Sequence, residues 1–488
     1  MNIGLPQGFS IEFDTDTVQV DDGTLRGGSP ARVLRLSPKG RAALDELRTG
    51  PVRSPAGAAL ARRLTDGGLA HPRPPAPIDD LSVTVVIPVQ DRPEELRRCL
   101  AALGDAHPVV VVDDGSDDRE ALVDIVKAHS AELVRRPSRG GPAAARNTGL
   151  AAVDTDLVAF IDSDCVPTPD WIEALIPHFA DPLVAAVAPR IVSLEATTSA
   201  GSYGEVAGSL DMGVAEGRVT PGTRISYVPS AALIVRRNAL RDIGVFDERL
   251  RYGEDVDLIW RLHEAGRRIR YEPAVQVFHR EPERWIDLLA RRFHYGTAAA
   301  PLARRHPTAA PPLVVHPWHA ATILAALTGR IAPTGLAFGA SVLATRRTLR
   351  QLDLPTDEAP RTAVIGLRQT WLGLGRFMIQ FTGPGLAALL VVRDPRPARR
   401  RFRRVAAASL LLGTPVTAYF TTRPRLDPIR FVLGQLADHT VYGAGVWAGC
   451  LRHRTLVPIT PILARPPRRI GGATTPSTAP RSTSEGLS

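Results

Sequence analysis

The stretch that decides the fold is LVAFIDSDCVPTPDWI, residues 157 to 172. Its first five residues, Leu157 to Ile161, are apolar and read as a buried strand. Asp162 and Asp164 then stand one residue apart, and Pro167 and Pro169 end the turn. Two carboxylates at the mouth of a buried strand need something to hold.

Working outward, the chain alternates strand and helix from Ser82 onward. VTVVIPV, VVVV, LVAFI and LVAAVAP read as strands; RPEELRRCLAAL, REALVDIVKAH and AAARNTGLAAV read as helices. Such alternation predicts an α/β domain, a mostly parallel sheet with helices on both faces. Ligands of such sheets bind beyond the carboxyl ends of the strands. The acidic clusters fall at those ends. VVVVDDGSDD places Asp113 and Asp114 after the second strand, and AFIDSDC brings Asp162 and Asp164. RGGPAAARNTGL opens a helix with Gly140, Gly141, Arg146 and Asn147. LRYGEDVDLIWRLHEAG opens another with Glu254 and Asp255, and VQVFHRE ends a strand at His279.

Each piece alone has an ordinary reading. Asp and Ser after a strand cap helix amides, acids in a first turn complement the helix dipole, and a lone histidine is usually a packed one. Their order, spacing and common placement at strand ends argue for a site. The chemistry is consistent: a hard divalent cation prefers oxygen ligands and bridges phosphates, and a further carboxylate can serve as a base.

This layout resembles the family 2 glycosyltransferases, over roughly residues 82 to 297. The resemblance implies the GT-A nucleotide-sugar fold and an inverting, metal-dependent transfer. It implies a nucleotide-sugar site made by Pro88, Asp91, Asp114, Arg146, Asp162 and Glu254, with Asp114 on the base and Asp162 on the ribose or a metal-bound water. Asp164 and His279 would hold Mg²⁺ or Mn²⁺ on the diphosphate, and Asp255 would be the general base. One departure is the loop VVIPVQDRPEE, where the family more often has Asn near Asp91.

The rest of the chain divides into an N-terminal unit (1–77), the catalytic region (78–300), a helical region (301–470) and a tail (471–488) expected to be disordered. In the first unit, TVQVDDGTLRGG reads as a hairpin, and helices start at Ser37-Pro38 and Ser54-Pro55, the second stopping at Gly67-Gly68. This predicts a winged-helix arrangement, with HPRPPAPIDD as a proline-rich linker. Segments MNIGLPQGFSIEFD, LRGGSPARVLRLSPKGRAAL and LARRLTDGGLAHPRP, joined to the first catalytic strand, resemble the mycofactocin-system glycosyltransferases of actinobacteria. That resemblance implies a cytoplasmic enzyme adding β-1,4-linked glucose from UDP-glucose to pre-mycofactocin, a small peptide-derived redox cofactor. It also likens the N-terminal unit to PqqD-like modules that recognise precursor peptides.

Composition narrows the alternatives. All but two of the 60 basic residues are arginine, and the net charge of +10 suits an anionic partner. Cys99, Cys165 and Cys450 are odd in number and far apart, which favours a reducing compartment over a disulfide framework. No signal-peptide pattern opens the chain. The apolar windows at 313–329, 331–345, 377–392 and 405–420 are short of a full span. They predict buried or interfacial helices, with peripheral contact at the inner face of the cell membrane through RPARRRFRR. Two other readings compete: transfer to a lipid-linked or cell-wall glycan at the membrane, and a winged-helix regulator fused to an inactive sugar-nucleotide domain. PAGAALARRLTDGG offers only Arg62 and Arg63 to a nucleic acid, so no nucleic-acid partner is expected.

Overall fold

A computed structural model describes residues 3–75, 81–309, 311–393 and 395–464. The described residues form two compact units, one drawn from Met1–Val314 and Trp371–Ile462, the second built on Val315–Thr370.

The N-terminal module holds β1 (Ser10–Phe13), β2 (Val18–Asp21), β3 (Thr24–Gly27), β4 (Arg32–Arg35), α1 (Pro38–Thr49), α2 (Pro55–Gly67) and β5 (Ala70–Arg73). β2, β3 and β4 form an antiparallel sheet, and β1 pairs with β5. The helix starts are as the sequence predicts. Ser37 Oγ accepts from the Gly40 amide at 3.2 Å and Ser54 Oγ from the Gly57 amide at 2.9 Å, each with proline at the first helical position. α2 ends on Gly68 at φ 70°, a left-handed conformation that glycine adopts without strain. The linker begins later than HPRPPAPIDD implies: His71, Pro72 and Arg73 lie in β5. Pro72 is tolerated there because β5 has a partner on one side only. Residues 76–80 of that stretch lie outside the described residues, as does the tail expected at 471–488. Arg62 of α2 leaves the module and forks onto Asp181 at 2.6 and 2.8 Å, both side chains buried.

The central sheet is built from β6 (Val83–Val89), β7 (Val109–Asp113), β8 (Glu132–Arg135), β9 (Leu157–Ile161), β10 (Cys165–Pro167), β11 (Val184–Ser193), β12 (Gly217–Arg218), β13 (Ala232–Arg236) and β14 (Arg268–His279). Its order is β10-β14-β11-β13-β9-β6-β7-β8, with β12 alongside β14. The half carrying β9, β6, β7 and β8 is parallel, as expected. The other half is mixed: β13 runs antiparallel to both β9 and β11, and β10 antiparallel to β14. An apolar run such as ALIVR suits a central strand in either direction, so the pattern alone does not set its polarity.

Helices α3 (Pro93–Leu103), α4 (Arg119–Ala128), α5 (Pro142–Ala152), α6 (Trp171–Leu175), α7 (Ser199–Ala207), α8 (Arg237–Ile243) and α9 (Glu254–Glu264) accompany these strands. Strand alternation splits the core between the faces. Val85 and Ile87 pack with Leu96 and Cys99 of α3, whereas Val86 and Phe160 pack with Ala145 of α5 and Leu258 of α9. Phe160 is wholly buried, and its truncation to alanine would cost about 3–5 kcal/mol.

The late helices are α10 (Trp285–Arg305), α11 (Pro317–Leu327), α12 (Ile331–Gln351), α13 (Ala359–Val391), α14 (Pro397–Thr422) and α15 (Pro428–His453). Three of the four apolar windows fall in longer helices, α12, α13 and α14, whereas 313–329 holds the 11-residue α11. α13 spans 33 residues and α14 26, and each is long and apolar enough to cross a membrane. Helix continues through Arg376 because an arginine is a good helix former and interrupts only the hydropathy. α13 breaks once, at Thr382 (φ −133°, ψ 19°), two residues before Pro384. α10 and α15 meet backbone to backbone. A Cβ at Gly445 would lie 2.0 Å from the Phe293 carbonyl oxygen, and one at Gly296 2.2 Å from that of Tyr442.

Candidate active site

The parallel strands deliver Asp114 and Asp162 to one edge of the sheet, since β7 ends at Asp113 and β9 at Ile161. β14 brings His279 to the same edge, where it pairs with Cys165 and so lies beside Asp164. α9 begins there too. Gly253, at φ 78°, turns the chain so that Glu254 and Asp255 fall in the first turn. α5 is tied to the approach to α9 by Asn147, whose amide group donates to Phe246 O at 2.9 Å and accepts from Phe246 N at 3.1 Å.

A cleft of about 1450 Å³ opens over this edge, with Asp162, Glu254 and Asp255 in its wall. Asp255 is half-buried. Its Oδ1 accepts from the Val256 amide at 2.8 Å, and its Oδ2 faces the Ser230 amide at 3.4 Å. Enclosure by the protein raises its pKa despite Arg146 nearby. Burial, with the charge of Asp255 adding to it, pushes Glu254 up to about 7.

Arg146 lines the cleft, but its guanidinium is committed to two carboxylates. It is 3% exposed; Nη2 donates to Asp162 at 2.6 Å, and Nη1 to Glu254 at 3.0 Å. Its guanidinium also sits 5.6 Å from the Phe246 ring centroid. Arg146 thus cross-links two site carboxylates. Asp114 is likewise engaged: it accepts from Arg136 Nε at 2.7 Å and from the amides of Gly140 and Gly141. It thereby holds the glycine loop that opens α5. Asp91 is exposed, at φ 53°, accepting from the Asp117 amide at 2.7 Å and Arg139 at 2.9 Å. The first of these bonds holds its carboxyl below the usual range. Pro88 is half-buried in β6, opposite Val112 of β7.

Asp164 and His279 are neighbours, with 3.7 Å between Oδ2 and Nε2. Asp164 also pairs with Arg92. Burial disfavours its charge, but His279 and Arg92 together hold its carboxyl well below the usual carboxylate range. His279 Nδ1 lies 3.7 Å from Glu281, which is paired in turn with Arg291. Burial opposes the imidazolium, yet the two flanking carboxylates raise its pKa to about 9. Arg92, Arg136 and Glu281 were not among the expected site residues. Arg92 and Glu281 have a signal, each lying close to an expected residue, in QDRPEE and FHRE. Arg136 reaches Asp114 from the end of β8, a contact only the fold reveals.

Residues 84–244 match the family described as Glycosyl transferase family 2. Over 475 residues the chain is 41% identical to the pre-mycofactocin glycosyltransferase of Mycobacterium tuberculosis, covering 94% of this chain and 98% of that one. The chain belongs to the pre-mycofactocin glycosyltransferases. It is a glycosyltransferase, then, with the GT-A fold. Glycosyltransferase AglE of Haloferax volcanii is 29% identical over 224 residues, covering 44% of this chain and 71% of that one. Among solved structures, the mannosyltransferase PcManGT of Pyrobaculum calidifontis, in complex with GDP-Man and Mn²⁺, aligns at a TM-score of 0.43 and 19% identity, over 78% of this chain and 89% of that one. The match to the family pattern stops at residue 244, so Glu254, Asp255 and His279 lie beyond it.

Proposed function

We propose that the chain transfers glucose from UDP-glucose to a hydroxyl of pre-mycofactocin, with inversion at the anomeric carbon, building β-1,4-linked glucose units. The observation that carries this reading is Asp255, in the cleft wall at the start of α9, a short way from the strand-end carboxylates. Its pKa, raised by burial above the usual carboxylate value, makes it a stronger base toward the acceptor hydroxyl. In the reaction Asp255 accepts the acceptor's hydroxyl proton as that oxygen bonds to the anomeric carbon. The bond from that carbon to the diphosphate oxygen breaks, and its electron pair leaves with UDP. Direct displacement of an α-linked donor gives a β-linkage.

The donor set of Asp164 and His279 fits a divalent cation. One oxygen and one nitrogen ligand stand side by side, and a bound cation would displace the His279 proton and take the place of Arg92 on Asp164. Among the described residues no group of three or more His, Cys, Asp or Glu is arranged as a full metal cage. The ion would thus take its remaining ligands from water and the donor's phosphates, as Mg²⁺ does in phosphate-binding sites. When bound, Mg²⁺ or Mn²⁺ supplies charge neutralisation to the departing diphosphate. Arg146 keeps Asp162 and Glu254 in place around that volume.

The test is incubation of the purified protein with UDP-glucose, Mn²⁺ and pre-mycofactocin, following UDP release and the anomeric configuration of the product by NMR. A β-glucoside is expected; release from another nucleotide sugar, or an α-product, overturns the donor or the stereochemistry.

The length of α13 and α14 favours a second reading, transfer to a lipid-linked or cell-wall glycan at the membrane. We place the enzyme in the cytoplasm, with the arginines of the first turns of α14 against the inner membrane face. Salt would release a peripheral protein, whereas retention after carbonate extraction would favour the second reading.

A further inference from the structure

The cleft is larger than one ligand needs, since single small-molecule pockets run to about 300–1,000 Å³. Its wall has two chemically distinct parts. One is the glycine loop with Asp162, Glu254 and Asp255. The other comes mainly from α10, α13 and α15, whose residues lie outside the family match at 84–244, joined by Tyr227 from within it. Here Tyr295 of α10, Arg376, Gln380 and Phe381 of α13, and Tyr442 of α15 line the cleft, with Tyr227 from the catalytic region.

This second wall belongs to the reaction centre by electrostatics as well as by lining. Burial raises the phenol pKa of both Tyr227 and Tyr295, and the charge of Asp255 adds to the rise in each; Tyr442 also acts on Tyr227. All three tyrosines therefore stay protonated at neutral pH, half-buried, and present ring faces together with hydroxyls. Arg376 is exposed in the cleft and forms no ion pair among the described residues, and Gln380 adds an amide. Rings with a few convergent polar groups are what a hydroxylated ring ligand requires. The wall is fixed in place, because α15 meets α10 without room for a Cβ at Gly445 or Gly296.

We propose that Tyr295, Arg376, Gln380, Phe381 and Tyr442, with Tyr227, form the acceptor subsite, and that it takes a hydroxyl-bearing ring. The ring lies between the aromatic faces, and its hydroxyl points to Asp255. The proposal rests on the reading of Asp255 as the base. A phenol and the terminal sugar of a growing glucoside share this chemistry.

The test reads binding apart from turnover. Saturation-transfer NMR on the full chain, loaded with UDP, uses 4-hydroxyphenylacetamide in one arm and cellobiose in the other. Binding of at least one probe to the wild type is expected, weakened about tenfold in Phe381→Ala and in Tyr442→Ala. Arg376→Ala, at an exposed position, covers the case in which an aromatic variant fails to fold, and should weaken binding several-fold. A phenol-only response assigns the subsite to the first acceptor ring, and a cellobiose-only response assigns it to chain extension. Absence of both responses in the wild type, or wild-type binding in Arg376→Ala and in the folded aromatic variants, overturns the proposal. Release of UDP from UDP-glucose by the wild type separately tests the proposed reaction, so the two failures are distinguishable.

Discussion

Arg146 and Glu254 form a buried ion pair, Nη1 to Oε1 3.0 Å, between α5 and the first turn of α9. Because Asp162 occupies the other terminal nitrogen, one guanidinium spans two strand-and-helix junctions of the site. Arg146→Met would leave two carboxylates uncompensated. Breaking a buried pair from one side costs about 3–5 kcal/mol. Urea denaturation should show a lowered midpoint, partly recovered in the double variant Arg146→Met with Glu254→Gln, which removes one of the stranded charges. A single variant as stable as wild type would mean that the pair contributes little.

Asp255→Asn keeps the side chain's shape but cannot take a proton. Transfer should fall by about 10²–10⁴, the usual share of a general base. Calorimetry should find UDP binding near wild type. A variant that keeps most of its turnover at saturating acceptor would remove Asp255 from the role of base.

Stability and activity should respond to pH with opposite signs below neutrality. Glu254 has a folded pKa of about 7 against 4.5 for the free side chain. Between those values the native state holds more protons than the unfolded one, so this group's contribution to stability falls as pH rises, by at most about 1.4 kcal/mol per unit. Transfer should rise with pH as Asp255, its pKa raised by burial, loses its proton. Glu254→Gln cannot titrate, so its unfolding free energy should lack that part of the slope. Urea titrations of both proteins at pH 5, 6 and 7 check the difference; identical slopes would show that Glu254 titrates normally.

Asp164→Ala removes the oxygen ligand paired with His279. Calorimetry with UDP should then show that Mn²⁺ no longer strengthens binding, while UDP alone binds as it does to wild type without metal. EDTA should reproduce the effect in the unmutated enzyme. Undiminished metal-dependent binding in the folded variant would place the cation elsewhere.

Much of this site is legible in the sequence because parallel strands report their own ends. VVVVDD and AFIDSD stop being apolar where β7 and β9 stop, so the carboxylates there share an edge. The caps at Ser37 and Ser54 are legible for a similar reason, since one side chain and one amide three residues on decide them. What stays hidden is pairing between distant elements. Arg146 reads from RGGPAAARNTGL as part of the nucleotide-sugar site, and only the placement of α9 gives it Glu254 as partner. The direction of β13 is hidden too, because ALIVR would be buried on both faces whichever way it ran. Three of the late helices run past their apolar windows, because arginine breaks a hydropathy window without breaking a helix.

The contact between Gly445 and the Phe293 carbonyl has a bearing on protein engineering. A catalytic sheet can usually be grafted with its loops, provided its outer helices pack through exchangeable side chains. Here α10 leaves the sheet region and α15 returns over 100 residues later to touch its bare backbone. A chimera joined after residue 305 would expose a surface shaped for one partner helix, with no side chain on Gly296 to adapt to another. The exchangeable piece is therefore discontinuous, and a functional hybrid must carry residues 428–453 along with the catalytic strands.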